Sequence, residues 1–302
     1  TEIVALCDNH KASLEEAQKD LKDNPRIFSN HNELIEAKTA DVYIIATPNY
    51  NHIDILKDII KTEAHLLIEK PLCTNVKDCL YFKKITKNYP SLIWTAMEYR
   101  YMPPVAKFIS KIKSGTIGNL KMFSIREHRF PFLVKVNDWN RFSKNTGGTR
   151  VEKCCHFFDL MRFVTNSEAV SVYASGAQDV NHLNEQYDGK KPDIIDNAFV
   201  ILNFKNGIRC MLDLCMFSEN YKLQEELCAV GNLGKIETGV PSFLSGRSSS
   251  ELSIAKRKSS KIHIENIDFD KTILQAGHHH GSTYYEHIDF KKAIKEKLKP
   301  QV

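Results

Sequence analysis

The sequence predicts a chain of class α/β plus α+β. A parallel-sheet domain is expected over residues 1–97, and a domain with an open, mainly antiparallel sheet over residues 98–302. Three observations carry that expectation. Residues 2 to 96 alternate short, continuously apolar runs with helical patterns, as strands buried on both faces beneath crossover helices do. After Glu98 the rhythm changes, and beyond two helices the chain reads mostly as strands. In "NAFVILNFKNGIRCMLDL" the pair Asn206-Gly207 separates two apolar runs, a strong hairpin signal.

In chain order, "IVALCD" reads as a strand and "KASLEEAQKDL" as a helix. "ADVYIIATP" and "NYNHIDILKDIIKT" repeat the unit, as do "AHLLIEKP" and "NVKDCLYFKKITKNY", and "SLIWTAME" is a fourth strand. Crossovers in such units are right-handed. "PPVAKFISKIKSG" is a helix stopped by Gly115. "NLKMFSIREHRF" alternates as a strand, and a helix containing "GGTRVEKCCHFFDLMRF" follows. The strands "AVSVYASGAQD", "DNAFVILNF", "GIRCMLDLCMF", "LQEELCAVG", "GKIET" and "KIHIEN" complete the second domain. The basic run "GRSSSELSIAKRKSSK" reads as a solvated loop.

Composition narrows the function. The 302 residues are 42% hydrophobic and 26% charged, with a net charge of +5 spread along the chain, so no nucleic-acid stripe is read. No run approaches the ~20 apolar residues of a membrane span, and no signal-peptide order is present. The eight cysteines show no Cys-x-x-Cys spacing, which fits reduced thiols in a cytoplasmic compartment.

Ligands of open parallel sheets sit beyond the carboxyl ends of the strands. Those ends carry Asp8, Thr47-Pro48, Glu69-Lys70-Pro71 and Met97-Glu98. A strand-end acid can hold the ribose hydroxyls of a dinucleotide, and as a carboxylate it disfavours the 2′-phosphate of NADP. Asp8 therefore reads either as a ribose ligand selecting NAD or as a helix N-cap. Lys11 nearby keeps NADP open. The Gly-x-Gly-x-x-Gly turn expected before this acid is absent, since only seven residues precede it. "EIVALCD" also lacks an evident neighbour to pair with, so a preceding strand and glycine turn are expected to be cut away.

In "GGTRVEKCCHFFDLM", Gly147-Gly148 releases the backbone into a turn, with Thr149 as a helix cap. On one continuous helix Glu152 and His156 stand four apart on one face, and Asp159 stands three beyond His156. A carboxylate fixes the tautomer of a histidine and raises its basicity, so His156 is a candidate general base. The alternative is a core helix with paired polar groups. Cys154 and Cys155 diverge around the helix and read as small buried hydrophobes. Lys70 suits the stabilisation of a developing alkoxide, or is a lysine snorkelling from a strand end. Consecutive histidines in "GHHHGSTYYEH" diverge, so no metal site is read.

The motifs "TPNYNH", "IEKPL", "MEYRYMP", "DWNRF", "GGTRVEKCCHFFDLM" and "GHHHGSTYYEHIDF" occur in an order that resembles the glucose–fructose oxidoreductase / inositol dehydrogenase (Gfo/Idh/MocA) family over nearly the whole chain. The resemblance implies an incomplete Rossmann-type nucleotide-binding domain and a substrate and oligomerisation domain. The family's C-terminal helix is expected to be missing, so both ends look trimmed. It further implies an NAD(P)-dependent oxidoreductase for a polyol, cyclitol or sugar-like alcohol. Lys70, Glu152 and His156 would be catalytic, with Glu152 in place of the family's usual aspartate. Asp8, Thr47, Pro48, His52, Glu69, Lys70, Arg100, Trp139 and Arg141 would line the cofactor, and Lys153, Asp159, His279 and His280 the substrate. A homodimer or homotetramer through the antiparallel sheet is implied. The alternatives are an NAD-dependent glycosidase-like enzyme and a non-catalytic family member acting as a binding partner.

Overall fold

A computed structural model describes residues 1–21, 24–242, 245–275 and 279–300. The chain divides into two compact units, residues 1–96 with 290–302, and residues 97–289.

The first unit is built from β1 (Ala5–Cys7), α1 (Lys11–Lys19), β2 (Arg26–Phe28), α2 (His31–Glu36), β3 (Val42–Ile45), α3 (His52–Ile59), β4 (His65–Glu69), α4 (Val76–Ile85) and β5 (Ile93–Ala96). Every strand pair is parallel: β1 with β2, and β3 with β4 with β5. Leu66, Leu67 and Ile68 of the central β4 are wholly buried, which is why that run carries no polar alternation. Asn75 caps α4 by accepting the Asp78 N–H at 2.9 Å. The expectation of an unpartnered first strand is corrected, because Ala5 lies opposite Arg26 and Cys7 opposite Phe28. The three residues of β2 are too few to show a period, so neither β2 nor α2 is visible in the sequence pattern.

The second unit holds α5 (Pro103–Lys113), β6 (Leu120–His128), α6 (Ser143–Thr146), α7 (Thr149–Glu152) and α8 (Cys155–Thr165). The strands β7 (Ala169–Ala177), β8 (Asn197–Phe204), β9 (Arg209–Cys215), β10 (Leu223–Gly231), β11 (Gly234–Pro241), β12 (Ser249–Lys256) and β13 (Ile262–Asp268) follow, then α9 (Lys271–Leu274) and α10 (Ser282–Glu296). The chain division falls within α10, between Asp289 and Phe290.

One sheet runs β13-β12-β11-β10-β6-β9-β8-β7, antiparallel except for the parallel pair β6–β9. Helix α5 lies against β11 and β12, and α8 against β6. Phe108, Phe157, Phe123, Ile125, Leu212 and Leu227 meet in the core between helices and sheet. The hairpin of β8 and β9 turns at Gly207, whose φ of +82° explains the glycine. The run read as a solvated loop contains β12, a correction. Its inward positions Ser250, Leu252 and Ile254 are buried in strict alternation, but serines and charges at the others mask the period.

Candidate active site

In the first unit the candidate residues lie in turns held by the main chain. Asp8 is exposed beyond β1 and accepts the His10 N–H at 2.8 Å. The N-cap of α1 is His10, so the reading of Asp8 as that cap is corrected. His52, the first residue of α3, is fully buried. Its two ring nitrogens lie 2.9 Å from the carbonyl oxygens of Thr47 and Pro71, tying the turn after β3 to the turn after β4. Pro48 opens the short 3-10 turn leading into α3. The Thr47 hydroxyl oxygen is buried without a hydrogen-bond partner among the described residues. Glu69 ends β4, and Lys70 follows it half-buried, with a cis bond to Pro71. These groups fit a nucleotide: an exposed carboxylate suits ribose hydroxyls, and the unsatisfied Thr47 hydroxyl is able to donate or accept.

In the second unit the candidates are held by one another. Gly147 and Gly148, with φ of +81° and +80°, turn the chain into α7. The helix expected through residues 149–163 is two pieces, a correction. The N–H groups of Lys153 and Cys154 both bond the Thr149 carbonyl, at 2.9 and 3.2 Å, so the regular ladder breaks between α7 and α8. The N-cap of α7 is Gly148, and the Thr149 hydroxyl donates to the Ile195 carbonyl at 2.5 Å instead of capping. Glu152 and His156 are both buried, but on separate helical pieces, so the regular i, i+4 face is not formed.

His156 stacks on Tyr99, which sits in a 3-10 turn at Glu98–Tyr101. The ring centroids are 4.1 Å apart and the planes within 9°. Beside that stack, the Lys153 ammonium donates to the Tyr99 hydroxyl and pairs with Glu127 Oε1 at 2.9 Å. It also lies 4.6 Å from the centre of the Tyr99 ring. The Tyr99 hydroxyl donates to Glu225 Oε1 at 3.0 Å, and the Gln224 amide donates to the same oxygen at 2.8 Å. Arg129 approaches Glu127 Oε1 at 3.3 Å. Burial raises the Glu225 carboxyl to about 7, helped by the Glu127 charge. Burial lowers the Lys153 ammonium, as does Arg129, against the pull of Glu127 and Glu225. Burial also holds the Tyr99 phenol well above its ordinary value, with Glu225 adding to the effect.

The other predicted positions of the second unit have partners of their own. Arg100 and Asp159 form a bidentate pair with both contacts at 2.5 Å, and the Arg100 guanidinium covers the Phe163 ring at 4.0 Å. Trp139 lies in the 3-10 segment Val136–Arg141, where its carbonyl accepts from Asn145 at 2.8 Å. Arg141 is buried and meets Glu185 at 3.1 Å. His279 Nδ1 is 3.2 Å from Glu98, and its ring is 5.7 Å from that of Tyr99. His280 instead turns to the Pro241 carbonyl, 2.9 Å away, and packs on Phe269; burial lowers its pKa. Gly277 and His278 of the same motif lie outside the described residues. Among the described residues, no group of three His, Cys, Asp or Glu side chains is able to hold a metal ion.

Sequence reasoning missed Tyr99, Glu127, Arg129, Gln224 and Glu225. A signal was present: Glu127 continues the inward alternation of Phe123 and Ile125, and Glu225 that of Leu227 and Ala229. An acid in phase with a core stripe is a buried acid.

Two family models match the chain. Residues 1–96 match the Gfo/Idh/MocA model described as an oxidoreductase-family NAD-binding Rossmann fold, and residues 109–302 its C-terminal alpha/beta domain. A myo-inositol 2-dehydrogenase of Thermotoga maritima is 27% identical over 211 residues, 70% of this chain and 60% of that protein. A glucose-6-phosphate 3-dehydrogenase of Bacillus subtilis is 22% identical, over 80% of this chain and 68% of that protein. The chain spans between half and three-fifths of the first three curated relatives it matches. Among solved structures, a levoglucosan dehydrogenase with NADH and levoglucosan superposes with a TM-score of 0.80 at 19% identity, covering 98% of this chain and 82% of that one. An oxidoreductase domain protein from Kribbella flavida gives 0.81 at 17%, covering 99% and 83%.

Proposed function

The chain belongs to the Gfo/Idh/MocA oxidoreductase family, and from that premise we propose that it moves hydride between a CH–OH carbon of a polyol, cyclitol or sugar-like alcohol and NAD. The observation that carries the reading is the buried His156 ring stacked on Tyr99, with a lysine and two carboxylates behind it. The names of relatives that act on inositol and on glucose 6-phosphate support the substrate class.

In this mechanism His156 takes the hydroxyl proton and Lys70 stabilises the developing alkoxide. Glu152 supports His156 or anchors a substrate hydroxyl, and His279, poised by Glu98, meets another. Asp8 and Thr47 hold the nucleotide. When bound, the nicotinamide supplies the hydride acceptor. NAD is favoured over NADP by the Asp8 carboxylate. The eight cysteines, none in a disulfide, fit a reducing, cytoplasmic compartment, and among the described residues no helix is long and apolar enough to cross a membrane.

A second copy is proposed to cover the face of the eight-stranded sheet where Tyr173, Ile201 and Met211 form an exposed cross-strand row. The function is tested by following NADH formation with a panel of cyclitols and sugars. NADH formation with any of them supports the reading. Cleavage of aryl glycosides without net NADH overturns it in favour of a glycosidase, and silence on every substrate favours a binding role.

A further inference from the structure

The buried cluster behind Tyr99 is larger than a single base requires. Lys153 and Arg129 bring two positive charges, and Glu127 and Glu225 two negative ones. All four enter from different places: Lys153 from the junction of α7 and α8, Glu127 from β6, Arg129 just beyond it, and Glu225 from β10, beside the neutral Gln224. Two of them meet on one phenol, whose hydroxyl receives from Lys153 and gives to Glu225, while Glu127 pairs with Lys153 and Arg129 with Glu127. The face of the same phenol is the floor on which His156 rests. His279, with its ring centre 5.7 Å from that of Tyr99, pairs with Glu98, and Glu152 lies on α7 just before the junction.

We infer that Lys153, Tyr99 and Glu225 are positioning residues that set the protonation of His156, so that a proton gained at Glu225 disfavours a proton on the imidazole. With all four charged groups ionised the cluster is neutral. A proton on Glu225 leaves it with one net positive charge beside His156, and a positive neighbour opposes formation of the imidazolium. The burial of Glu225 draws this exchange toward neutral pH, where a dehydrogenase base must cycle. The low-dielectric surroundings keep the coupling strong, since the His156 ring stacks directly on Tyr99 and the Tyr99 hydroxyl bonds Glu225 directly. The catalytic meaning rests on the oxidation proposed above, whereas the coupling itself does not.

The test reads His156 directly, by NMR titration of histidine-labelled full chain, with its resonance identified through H156Q. Glu225→Gln fixes the cluster at a net positive charge and should lower the His156 pKa by about one pH unit. Lys153→Met removes one positive charge from the cluster and should raise it by about as much, and the double variant should return it close to the wild-type value. Opposite shifts from two substitutions in one cluster are a charge effect that loosened packing does not produce. Shifts in the same direction, or an unmoved His156 resonance between about pH 5 and 9 in all variants, would overturn the inference. If Lys153→Met does not fold, Glu127→Gln must lower the His156 pKa as Glu225→Gln does, and an unmoved value overturns the inference equally. NADH formation with no His156 shift sinks the coupling alone. The stated shifts in a protein that oxidises no alcohol leave the coupling standing and remove the oxidation.

Discussion

The two units hold their candidate residues by different means. In the first, the anchors are backbone: His52 meets two main-chain carbonyls, and Asp8 accepts a main-chain N–H. In the second, they are side chains answering side chains, as in Lys153 to Glu127, Tyr99 to Glu225 and Arg100 to Asp159. Main-chain anchoring keeps a turn in shape whichever side chain it presents. Mutual anchoring makes each member part of its neighbour's solvation, so removing one strands another. Function and stability should therefore separate in the first unit and travel together in the second.

The sharpest separation is expected at Lys70. Lys70→Ala should reduce turnover by about a thousandfold, the scale of removing one donor from a developing oxyanion. Its melting temperature and NADH affinity should stay near wild type, because the neighbouring turns are tied through His52. Steady-state rates with a fluorescence titration of NADH give the comparison. A variant that turns over normally removes Lys70 from the chemistry, and one that unfolds breaks the contrast between the units.

Arg100→Ala should do the opposite. Its pair with Asp159 is mostly buried, at 10% and 13% side-chain exposure, so the substitution strands a carboxylate and costs about 3 kcal/mol. Urea denaturation reads this as a lower midpoint with an unchanged slope. A loss below about 1 kcal/mol would mean that the pair behaves as a surface bridge.

Glu225 adds a pH signature. Its carboxyl is raised to about 7 in the folded chain, above the ordinary value of 4.5. Between those values the native state binds the proton that the unfolded chain has released. Its favourable contribution is thus complete below about 4.5 and is lost as pH rises through about 7. Glu225→Gln should be worth on the order of 2 kcal/mol more, relative to wild type, at pH 8 than at pH 5. Melting curves across that range measure it. A difference that stays flat or shrinks with pH refutes the raised carboxyl.

The same contrast explains what the sequence discloses. The three-stranded parallel sheet is legible because continuous burial writes continuous apolar runs, as in "HLLIE" of β4. Most of the antiparallel sheet is legible through its alternation. Strand β12 escapes because serine fills an inward position at Ser250, and β2 because three residues have no period. His156 and Lys70 stand out through motif and position. The groups behind His156 do not, since Tyr99, Glu127 and Glu225 meet only when a 3-10 turn and two strands of distant sequence are brought together. The break at Lys153 is equally hidden, because the segment's composition suits an unbroken helix and the tertiary demand for a buried ammonium overrides it.

The smallest effect tests whether burial, and not membership of a unit, makes the difference. Arg162 and Glu168 also form a bidentate pair in the second unit, with geometry like that of Arg100 and Asp159, yet their side chains are 59% and 69% exposed. Water already solvates both partners, so removing one strands nothing, and the surviving charge keeps its hydration. Arg162→Ala should therefore shift stability by no more than about 0.5 kcal/mol, and less as salt is added. The urea midpoint at low and high ionic strength is the measurement. A loss approaching that of Arg100→Ala would place the cost in the ion pair itself, and the contrast between the units would then lie in how many pairs each contains, not in how deeply they are buried.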